Sequence, residues 1–519
     1  MIEIDGTSLT LEQLGQVVFE KTPCALAMPA RDRVRAGRAV IERALETGEA
    51  IYGLNTGFGD LANVRIEPER LELLQRSLIL SHAAGMGDPL PDAAVRGMLL
   101  LRANTLARGH SGVRPEVIDG LLALLNHDAL PVVPAQGSVG ASGDLAPLAH
   151  LALPLLGRGR LRLEGSEVTA EEGLRRIGLA PLELRAKEGL ALINGTQAMA
   201  SLLALAVLET RRLVKTADLV GALSTDALRG TDTAFDPRIH ALRPHPGQQA
   251  SAANLWNLME GSAIRESHRV GDVRVQDPYS VRCMPQVHGA VRGLLADVEA
   301  KLAIEINSVT DNPLVFIEED GRADGGAGRA REEERFAILS GGNFHGEVMA
   351  FAADILAIGL AELAAISERR IEKLTNASFS GLPPFLVRDA GVNSGFMIAQ
   401  VTAAALVSDN KILCHPASVD SIPTSADKED HVSMGMGAAL KLQTVLTQTR
   451  RVLAIELTAA SQGIDLLRPL TSSLRLEALH AEVRTRIPVW DQDREMAPDL
   501  ALAENFLRQG IDAHLRELL

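Results

Sequence analysis

Long stretches without proline dominate the second half of this sequence and constrain its fold more than any other feature. Apolar residues recur with helical spacing across 289–309, 345–374, 390–413 and 433–465. Each stretch exceeds the usual length of a globular helix, and helices of this length pack on one another as a bundle. Aromatic residues make up only 3% of the chain, which favours packed helices over sheets. We therefore predict a mainly α protein with a long central helical bundle.

The first 200 residues are organised differently from the rest. Short helical patterns alternate there with polar, glycine-containing segments, and 157–168 alternates in a way that predicts the only small hairpin. We expect residues 1–200 to form an N-terminal, mostly helical domain. Residues 201–519 are expected to form the bundle and a C-terminal helical domain. A run of charge and glycine over 318–334 predicts a mobile surface excursion.

Charge and cysteine content limit the classes of partner. The net charge is −14 and the pI is near 5.5, which argues against nucleic acid or an anionic membrane as the main partner. The three cysteines are widely spaced, so neither a disulfide framework nor a zinc site is indicated. The amino terminus lacks the pattern of a signal peptide. The apolar stretch 351–366 contains Asp354 and Glu362, which a membrane span rarely carries. We expect a soluble, cytoplasmic protein.

One polar stretch, 137–145, holds three glycines and two serines between an apolar run and a helical pattern. A flexible turn is its simplest interpretation. A phosphate loop is disfavoured, because Asp144 stands where such a loop has lysine. A third interpretation is chemical: the Gly143 amide nitrogen can attack the Ala141 carbonyl carbon. Loss of water and of the Ser142 hydroxyl would then leave an electrophilic methylene group.

The chain contains only two tyrosines, Tyr52 and Tyr279, and both lie in polar segments broken by glycine or proline. Tyrosines that filled a core would be spread along the helices, so this placement indicates general acid–base work. Such a role requires positive charge or hydrogen bonds that lower the phenol pKa from about 10. Arg282 follows Tyr279 by three residues and would share its helical face, and its guanidinium suits a substrate carboxylate.

These motifs together resemble those of the aromatic amino-acid ammonia-lyase family. Ala141-Ser142-Gly143 matches the triad that cyclises in that family into 4-methylideneimidazole-5-one (MIO). Several long motifs in the correct order carry far more weight than one short pattern. The match runs along nearly the whole chain and includes 52–59, Asn194, 276–282, 307–313 and 341–346.

The resemblance implies non-oxidative elimination of ammonia from an amino acid, with an MIO electrophile formed from Ala141, Ser142 and Gly143. Tyr52 is the expected base for the β-proton, and Tyr279 is expected to assist at the amine. Further residues are implied to bind substrate: His82, Asn194, Gln276, Arg282, Phe344 and Glu429.

Two segments, 81–85 and 429–434, resemble those of family members that act on histidine. A carboxylate at Glu429 can accept a hydrogen bond from an imidazole N–H and favour the protonated ring. Before an apolar ring the same carboxylate would be desolvated without a partner. The expected reaction therefore converts L-histidine to trans-urocanate and ammonia, the first step of histidine degradation.

Three positions depart from the pattern usual in those members: Met284, His288 and Gly346. They adjoin the segments implied to form the pocket. An ammonia-lyase or aminomutase acting on tyrosine, phenylalanine or a histidine analogue therefore remains open. A non-catalytic helical assembly protein on the same scaffold is the alternative from another class.

Family members are homotetramers whose active sites are shared between subunits, so the resemblance implies the same assembly here, with a small amino acid as substrate. No metal is expected. His345 and His415 are expected to be packed or capped side chains rather than metal ligands.

Overall fold

The computed structural model describes residues 1–47, 49–57, 59–272, 274–317 and 336–519. The charged run 318–334, predicted as a surface excursion, lies outside the described residues, as does Phe58.

Helices dominate the described chain, which confirms the predicted mainly α fold. The longer α-helices are Leu11–Glu20, Met28–Glu46, Leu71–His82, Asp92–Ala107, Pro115–Asn126, Leu145–Ala152, Gln197–Ala227, Pro246–Met259, Met284–Glu305, Glu347–Thr375, Met397–Leu413, Gly435–Leu466, Leu474–Arg484 and Ala497–Gln509. The shorter ones are Ala170–Arg176, Glu188–Ile193, Pro237–Ala241, Ala263–Glu266, Tyr279–Arg282, Ala377–Ser380 and Asp512–Leu515. Turns of 3₁₀ helix cover Gly59–Asn63, Pro68–Arg70, Leu153–Leu156, Asp232–Phe235 and Pro384–Leu386.

One long helix, Met397–Leu413, begins later than residue 390, where the apolar pattern starts. Gly391 and Gly395 have φ angles of 108° and 51°, which helical residues do not adopt. The Asp493 carboxylate accepts hydrogen bonds from the amides of Ser394 and Gly395, at 2.6 and 2.9 Å. A turn held in this way replaces the first predicted turns of helix.

Strands in the described residues are short and form small separate sheets. The predicted hairpin is present: Arg160–Leu163 pairs antiparallel with Ser166–Thr169, and Leu130–Pro131 adds a third antiparallel strand. The expectation that it would be the only hairpin is wrong, because strands of three or four residues are too short for their alternation to be recognised. The other pairs are Ile2–Ile4 with Cys24–Leu26 (parallel), Met86–Pro89 with Pro134–Gln136, and Leu314–Ile317 with Phe336–Leu339 (both antiparallel).

The described chain divides into two compact units. Unit 1 comprises Met1–Leu205, Ala300–Ala353 and Pro416–Leu440. Unit 2 comprises Ala206–Glu299, Asp354–His415 and Lys441–Leu519. The sequence-based division into residues 1–200 and 201–519 stays a prediction.

The core of unit 1 includes two helices that are buried on nearly all sides. Asp92–Ala107 is buried continuously from Ala94 onward, and Glu188–Ile193 is buried along its whole length. A helix whose residues are buried all round must be covered on every side. Arg102 is nevertheless fully buried in the first of these helices, so its guanidinium needs partners inside the unit.

One helix of the described residues, Glu347–Thr375, is long and apolar enough to cross a membrane by length and composition. Its most apolar window has a mean hydropathy of 1.9, and 67% of that window is buried inside the protein. Asp354 within it is buried and forms an ion pair with Lys441 at 2.5 Å. Core helices meet the same criterion, and the burial favours a core helix here.

Candidate active site

The polar stretch 137–145 forms a loop between the strand Pro134–Gln136 and the helix Leu145–Ala152. Gly143 lies in this loop with a φ angle of +70°, in the left-handed region. A β-carbon at Gly143 would lie 2.6 Å from the Gly195 nitrogen, and closer still to the Gly195 carbonyl. Only glycine fits this position, because both the backbone angle and the available space exclude a side chain.

Asp144 anchors the loop to the start of the helix Gln197–Ala227. Its amide donates to the Gly195 carbonyl at 2.7 Å. Its buried carboxylate accepts from the Ser138 hydroxyl at 2.8 Å and from the Met199 amide at 2.9 Å. Burial raises the pKa of Asp144 to about 6, although these hydrogen bonds oppose the rise. The positive end of the helix dipole also favours a carboxylate at this place.

Two distant segments of unit 1 hold the other side of the loop. The Gly140 carbonyl accepts hydrogen bonds from the Ser433 hydroxyl at 3.0 Å and from the Gly346 amide at 3.2 Å. The Met434 amide donates to the Val139 carbonyl at 2.8 Å. The loop is therefore fixed on both sides, and the 341–347 and 425–434 segments are brought beside it.

Buried polar groups fix Asn194 next to the loop. Arg102 donates to the Asn194 carbonyl at 3.0 Å and to the Gln197 side chain at 2.7 Å. Burial lowers the pKa of Arg102 to about 10, while the charge of Asp311 opposes this. The Asn194 amide nitrogen donates to the Asn312 carbonyl at 3.2 Å. Its Oδ1 is buried without a hydrogen-bond partner in the described part of the chain, so it can accept from a ligand.

A cavity of about 910 Å³ opens beside the loop in unit 1. Its size suits a small molecule, since ligand pockets usually enclose about 300–1,000 Å³. Both polar and apolar side chains face it. The predicted site residues that line it are Tyr52, His82, Ala141, Ser142, Asn194, Phe344 and Glu429.

Glu429 is the main charged group beside Ser142 in this cavity. Its Oε1 accepts from the Ser142 hydroxyl at 2.6 Å, and its Oε2 accepts from the Thr424 hydroxyl at 2.5 Å. Burial lowers the pKa of His82, whereas a hydrogen bond to Leu78 and the charge of Glu429 raise it. The Glu429 carboxylate thus accepts a hydrogen bond from Ser142 and, through its charge, favours the protonated form of His82.

The phenol of Tyr52 is more weakly acidic than the sequence-based argument requires. Burial raises its pKa, a hydrogen bond from the Gly59 amide lowers it, and the negative charge of Glu429 raises it again. The net direction is upward. The expected lowering of this pKa is therefore not produced by the groups around Tyr52 within the chain.

Three predicted site residues, Gln276, Tyr279 and Arg282, belong to unit 2. Tyr279 and Arg282 bound a single helical turn, and the guanidinium carbon lies 4.7 Å from the centre of the phenol ring. The three-residue spacing thus places them on one face, as predicted. Tyr279 is 71% exposed and Gln276 is also exposed. The cavity of unit 1 is lined without them.

Several residues that line or support the cavity are not predicted from the sequence. Asn312, His345 and His431 line the cavity. Asn312 stands in a motif that carried the resemblance, yet nothing in that pattern assigns it a contact. His345 was expected to be packed or capped, and its ring stacks on that of His431 with centroids 5.8 Å apart. Arg102 supports the site from within a buried helix, and an arginine that directly follows the apolar run 98–101 was an available signal.

Comparison with known proteins decides the family. Residues 9–485 match the family model for aromatic amino acid lyases. The chain belongs to the aromatic amino acid lyase family. The histidine ammonia-lyase of Anaeromyxobacter sp. (strain K) is 53% identical over 515 residues, which is 98% of each chain.

Two solved structures share the whole fold of this chain. The crystal structure of histidine ammonia-lyase from Trypanosoma cruzi has a TM-score of 0.89 and 44% identity, and covers 100% of this chain and 95% of its own. The structure of tyrosine aminomutase from Streptomyces globisporus has a TM-score of 0.90 and 36% identity, with 99% and 98% covered. The resemblance read from the motifs is thus confirmed at the level of family and fold.

Gly346, where this lyase departs from the usual alanine, has a clear packing reason. A β-carbon there would lie 2.5 Å from the Met199 sulfur and 2.7 Å from its terminal methyl. The same sulfur would lie 2.6 Å from a β-carbon at Gly435. Met199 therefore occupies space that side chains at these glycines would need.

The other two departures are buried in unit 2. Met284 packs against Gly221. His288 Nδ1 lies 2.8 Å from Asp218 Oδ1, and both side chains are fully buried. Burial raises the pKa of Asp218, but the hydrogen bond from His288 and the charge of Arg292 outweigh it, and the pKa falls to about 2. These contacts give His288 a role in the core of that unit.

Proposed function

We propose that this protein is a histidine ammonia-lyase, which converts L-histidine to trans-urocanate and ammonia in the first step of histidine degradation. One observation carries the choice of substrate: the Glu429 carboxylate lies in the same cavity as Ser142, His82 and Tyr52. Once the Ser142 hydroxyl is lost, an apolar ring would leave this carboxylate with the Thr424 hydroxyl as its donor and no partner on the substrate, and burying a charge so poorly paired is costly.

The residues at the loop fit an MIO group formed from Ala141, Ser142 and Gly143. Gly143 has the left-handed φ and the side-chain-free contact with Gly195 that ring closure onto its amide nitrogen needs. Asp144 and Ser138 hold the following backbone in place. Once formed, the group supplies an electrophile that ordinary side chains lack.

The chain's own residues divide the remaining work. Tyr52 takes the β-proton, and the free Oδ1 of Asn194 accepts from the substrate. Glu429 and His82 hold the imidazole: Glu429 accepts from the ring N–H, and the low pKa of His82 keeps that side chain neutral near neutral pH. Phe344 forms an apolar wall beside Ser142.

A homotetramer supplies the groups that the cavity of one chain lacks. We infer that Gln276, Tyr279 and Arg282 reach the cavity of a neighbouring subunit, where Arg282 binds the substrate carboxylate and Tyr279 assists at the amine. The exposure of Tyr279 supports this role.

Exposed apolar side chains support the same assembly. Val348, Phe351, Ile355 and Ile358 follow one another at helical spacing along Glu347–Thr375 and are 36–51% exposed. An exposed apolar stripe of this kind marks a protein–protein contact. Light scattering of the purified protein should give four times the chain mass.

We place this enzyme in the cytoplasm.

An aminomutase or lyase acting on tyrosine or phenylalanine is the second candidate. It is favoured by the tyrosine aminomutase structure, which covers nearly the whole chain at a TM-score of 0.90. The same scaffold thus accommodates another aromatic amino acid. A non-catalytic assembly protein is the less favoured alternative, because Ala141, Ser142, Gly143 and both tyrosines are present.

Two measurements test these proposals. The intact mass should be lower than the sequence mass by two water molecules, and the Ser142→Ala variant should lose this deficit. Formation of urocanate from histidine should greatly exceed formation of cinnamate from phenylalanine or coumarate from tyrosine. A full sequence mass would refute the MIO enzyme, and faster cinnamate or coumarate formation would refute the choice of histidine.

A further inference from the structure

Three metal-ligating side chains converge at the edge of the cavity in unit 1. His345, Glu347 and His431 each offer one ligand atom, and these atoms lie within 4.8 Å of one another. His345 and Glu347 flank Gly346 where the helix Glu347–Thr375 begins, and His431 belongs to the facing 425–434 segment. Side chains from two separate segments therefore form one group.

The packing of the two imidazoles leaves a ring nitrogen of His345 available to a metal ion. Their rings are stacked, with centroids 5.8 Å apart and planes 5° from parallel. His345 Nε2 lies 3.2 Å from the main-chain carbonyl oxygen of His431. Since a carbonyl oxygen only accepts, Nε2 carries the proton, and Nδ1 of the neutral ring keeps its lone pair. Ligating histidines generally donate their other N–H to a carbonyl or carboxylate in this manner.

One oxygen of the carboxylate in this group lacks a protein donor. Glu347 Oε2 is buried and has no hydrogen-bond partner within the described ranges. A buried acceptor left unpaired is costly, and a cation bound by the two histidines would pair with it. This orphaned oxygen is independent of the clustering of the three residues and points to a positively charged ligand.

We propose that His345, Glu347 and His431 bind one divalent transition-metal ion of the zinc class. Two imidazole nitrogens and one carboxylate oxygen are the donors that Zn²⁺ accepts, whereas Mg²⁺ and Ca²⁺ prefer oxygen alone. Donor atoms around a tetrahedral ion at about 2.1 Å lie about 3.4 Å apart. Small side-chain rotations bring the three atoms from their present separation to that geometry.

Three protein ligands leave the fourth position of a tetrahedral ion open. His345 and His431 line the cavity, so the open position faces it, and an imidazole or carboxylate in the cavity can occupy it. The ion also fixes Phe344 and Glu429, which lie one and two residues from its ligands. This site goes beyond the proposed ammonia-lyase reaction, which needs no metal.

The test measures metal binding rather than activity, so its failure is separate from failure of the proposed function. Tag-free, metal-stripped full-length protein is dialysed against Zn²⁺, and bound zinc is quantified per chain. Co²⁺ serves as a second probe, because its visible absorption reports the number of ligands. We expect about one Zn²⁺ per chain, as for a single three-ligand site.

Variants identify the ligands. Glu347→Gln and His431→Asn should each weaken zinc binding by more than the ~10–100-fold that loss of an outer partner costs. His415→Asn removes an exposed histidine outside the cluster and should leave the affinity unchanged. Helical circular dichroism of each metal-free variant establishes that it is folded. The proposal is overturned if the wild type takes up no zinc by saturable binding, or if both cluster variants bind it as tightly as the wild type.

Discussion

Replacing Gly143 by alanine should abolish MIO formation, because the loop backbone at this residue has no room for a β-carbon. The new atom would lie 2.6 Å from the Gly195 nitrogen, whereas ordinary contacts of this kind measure 3.4–4 Å. Because the Gly195 carbonyl would lie closer still, the loop must move by more than an ångström. That shift separates Gly143 from Gly195 and weakens the hydrogen bond, now 2.7 Å, from the Asp144 amide to the Gly195 carbonyl.

The cost of this substitution has three sources. A left-handed φ costs an alanine about 1–2 kcal/mol, overpacking a full site costs about 1–3 kcal/mol, and a lost hydrogen bond costs about 0.5–1.5 kcal/mol. The stability of the protein should fall by roughly 3–6 kcal/mol. Gly165→Ala is the matched control: Gly165 has a φ of +76°, yet nothing lies within 4 Å of its added β-carbon. It should show the backbone cost alone.

Intact mass and thermal unfolding read the two effects separately. Gly143→Ala should show the full sequence mass, without loss of two waters, and a much lower unfolding midpoint than Gly165→Ala. The control should keep the mass deficit. Suppose instead that Gly143→Ala kept the mass deficit of two waters and had the same unfolding midpoint as Gly165→Ala. The contact with Gly195 would then not govern ring closure, and the reasoning would fail.

Three further predictions follow from contacts around the loop. Glu429→Gln should lower kcat/KM for histidine by at least tenfold, or about 1.4 kcal/mol, relative to phenylalanine; an unchanged ratio would refute the imidazole argument. Asp144 has its pKa raised from 3.8 to about 6, so the folded state binds an extra proton between these values and stability falls as pH rises through them; the unfolding midpoint of Asp144→Asn should lack this part of the pH dependence seen in the wild type. Gly346→Ala should destabilise the protein by about 1–3 kcal/mol, and combining it with Met199→Ala should cost less than the sum of the two single changes, because the shortened side chain vacates the space; additive effects in a double-mutant cycle would show that the two sites do not compete.

The helices could be predicted because their signal is local. The helix Gly435–Leu466 begins and ends within two residues of the bounds of 433–465, the stretch predicted from apolar spacing without proline. The late start of Met397–Leu413 could not be predicted, since it depends on Asp493, about a hundred residues away along the chain. A helix boundary set by a distant carboxylate leaves no trace in the local pattern.

For the site, too, local features could be predicted and long-range contacts could not. The sequence predicts Tyr52 and Ser142 as site residues because few residue types have the chemistry the reaction needs, and both line the cavity. The arrangement that supports them was not found. Arg102 reaches the Asn194 carbonyl across 92 residues, and Met434 reaches the Val139 carbonyl from nearly 300 residues away. Those contacts follow from tertiary packing, which cannot be predicted from residue type or from spacing along the chain.

In the proposed reaction, Glu429 links substrate recognition to the ionisation of the base, Tyr52. Its charge raises the pKa of Tyr52 as long as no cation neutralises it. A histidine side chain that donates to this carboxylate, and more so a protonated one, removes part of that effect at the moment the substrate arrives. In the proposed reaction, Tyr52 therefore ionises to the phenolate more readily when an imidazole is bound than when the cavity holds water. A phenyl ring gives no such relief, so the same carboxylate disfavours phenylalanine twice, once in binding and once in proton removal. Discrimination by Glu429 should accordingly appear in kcat as well as in KM.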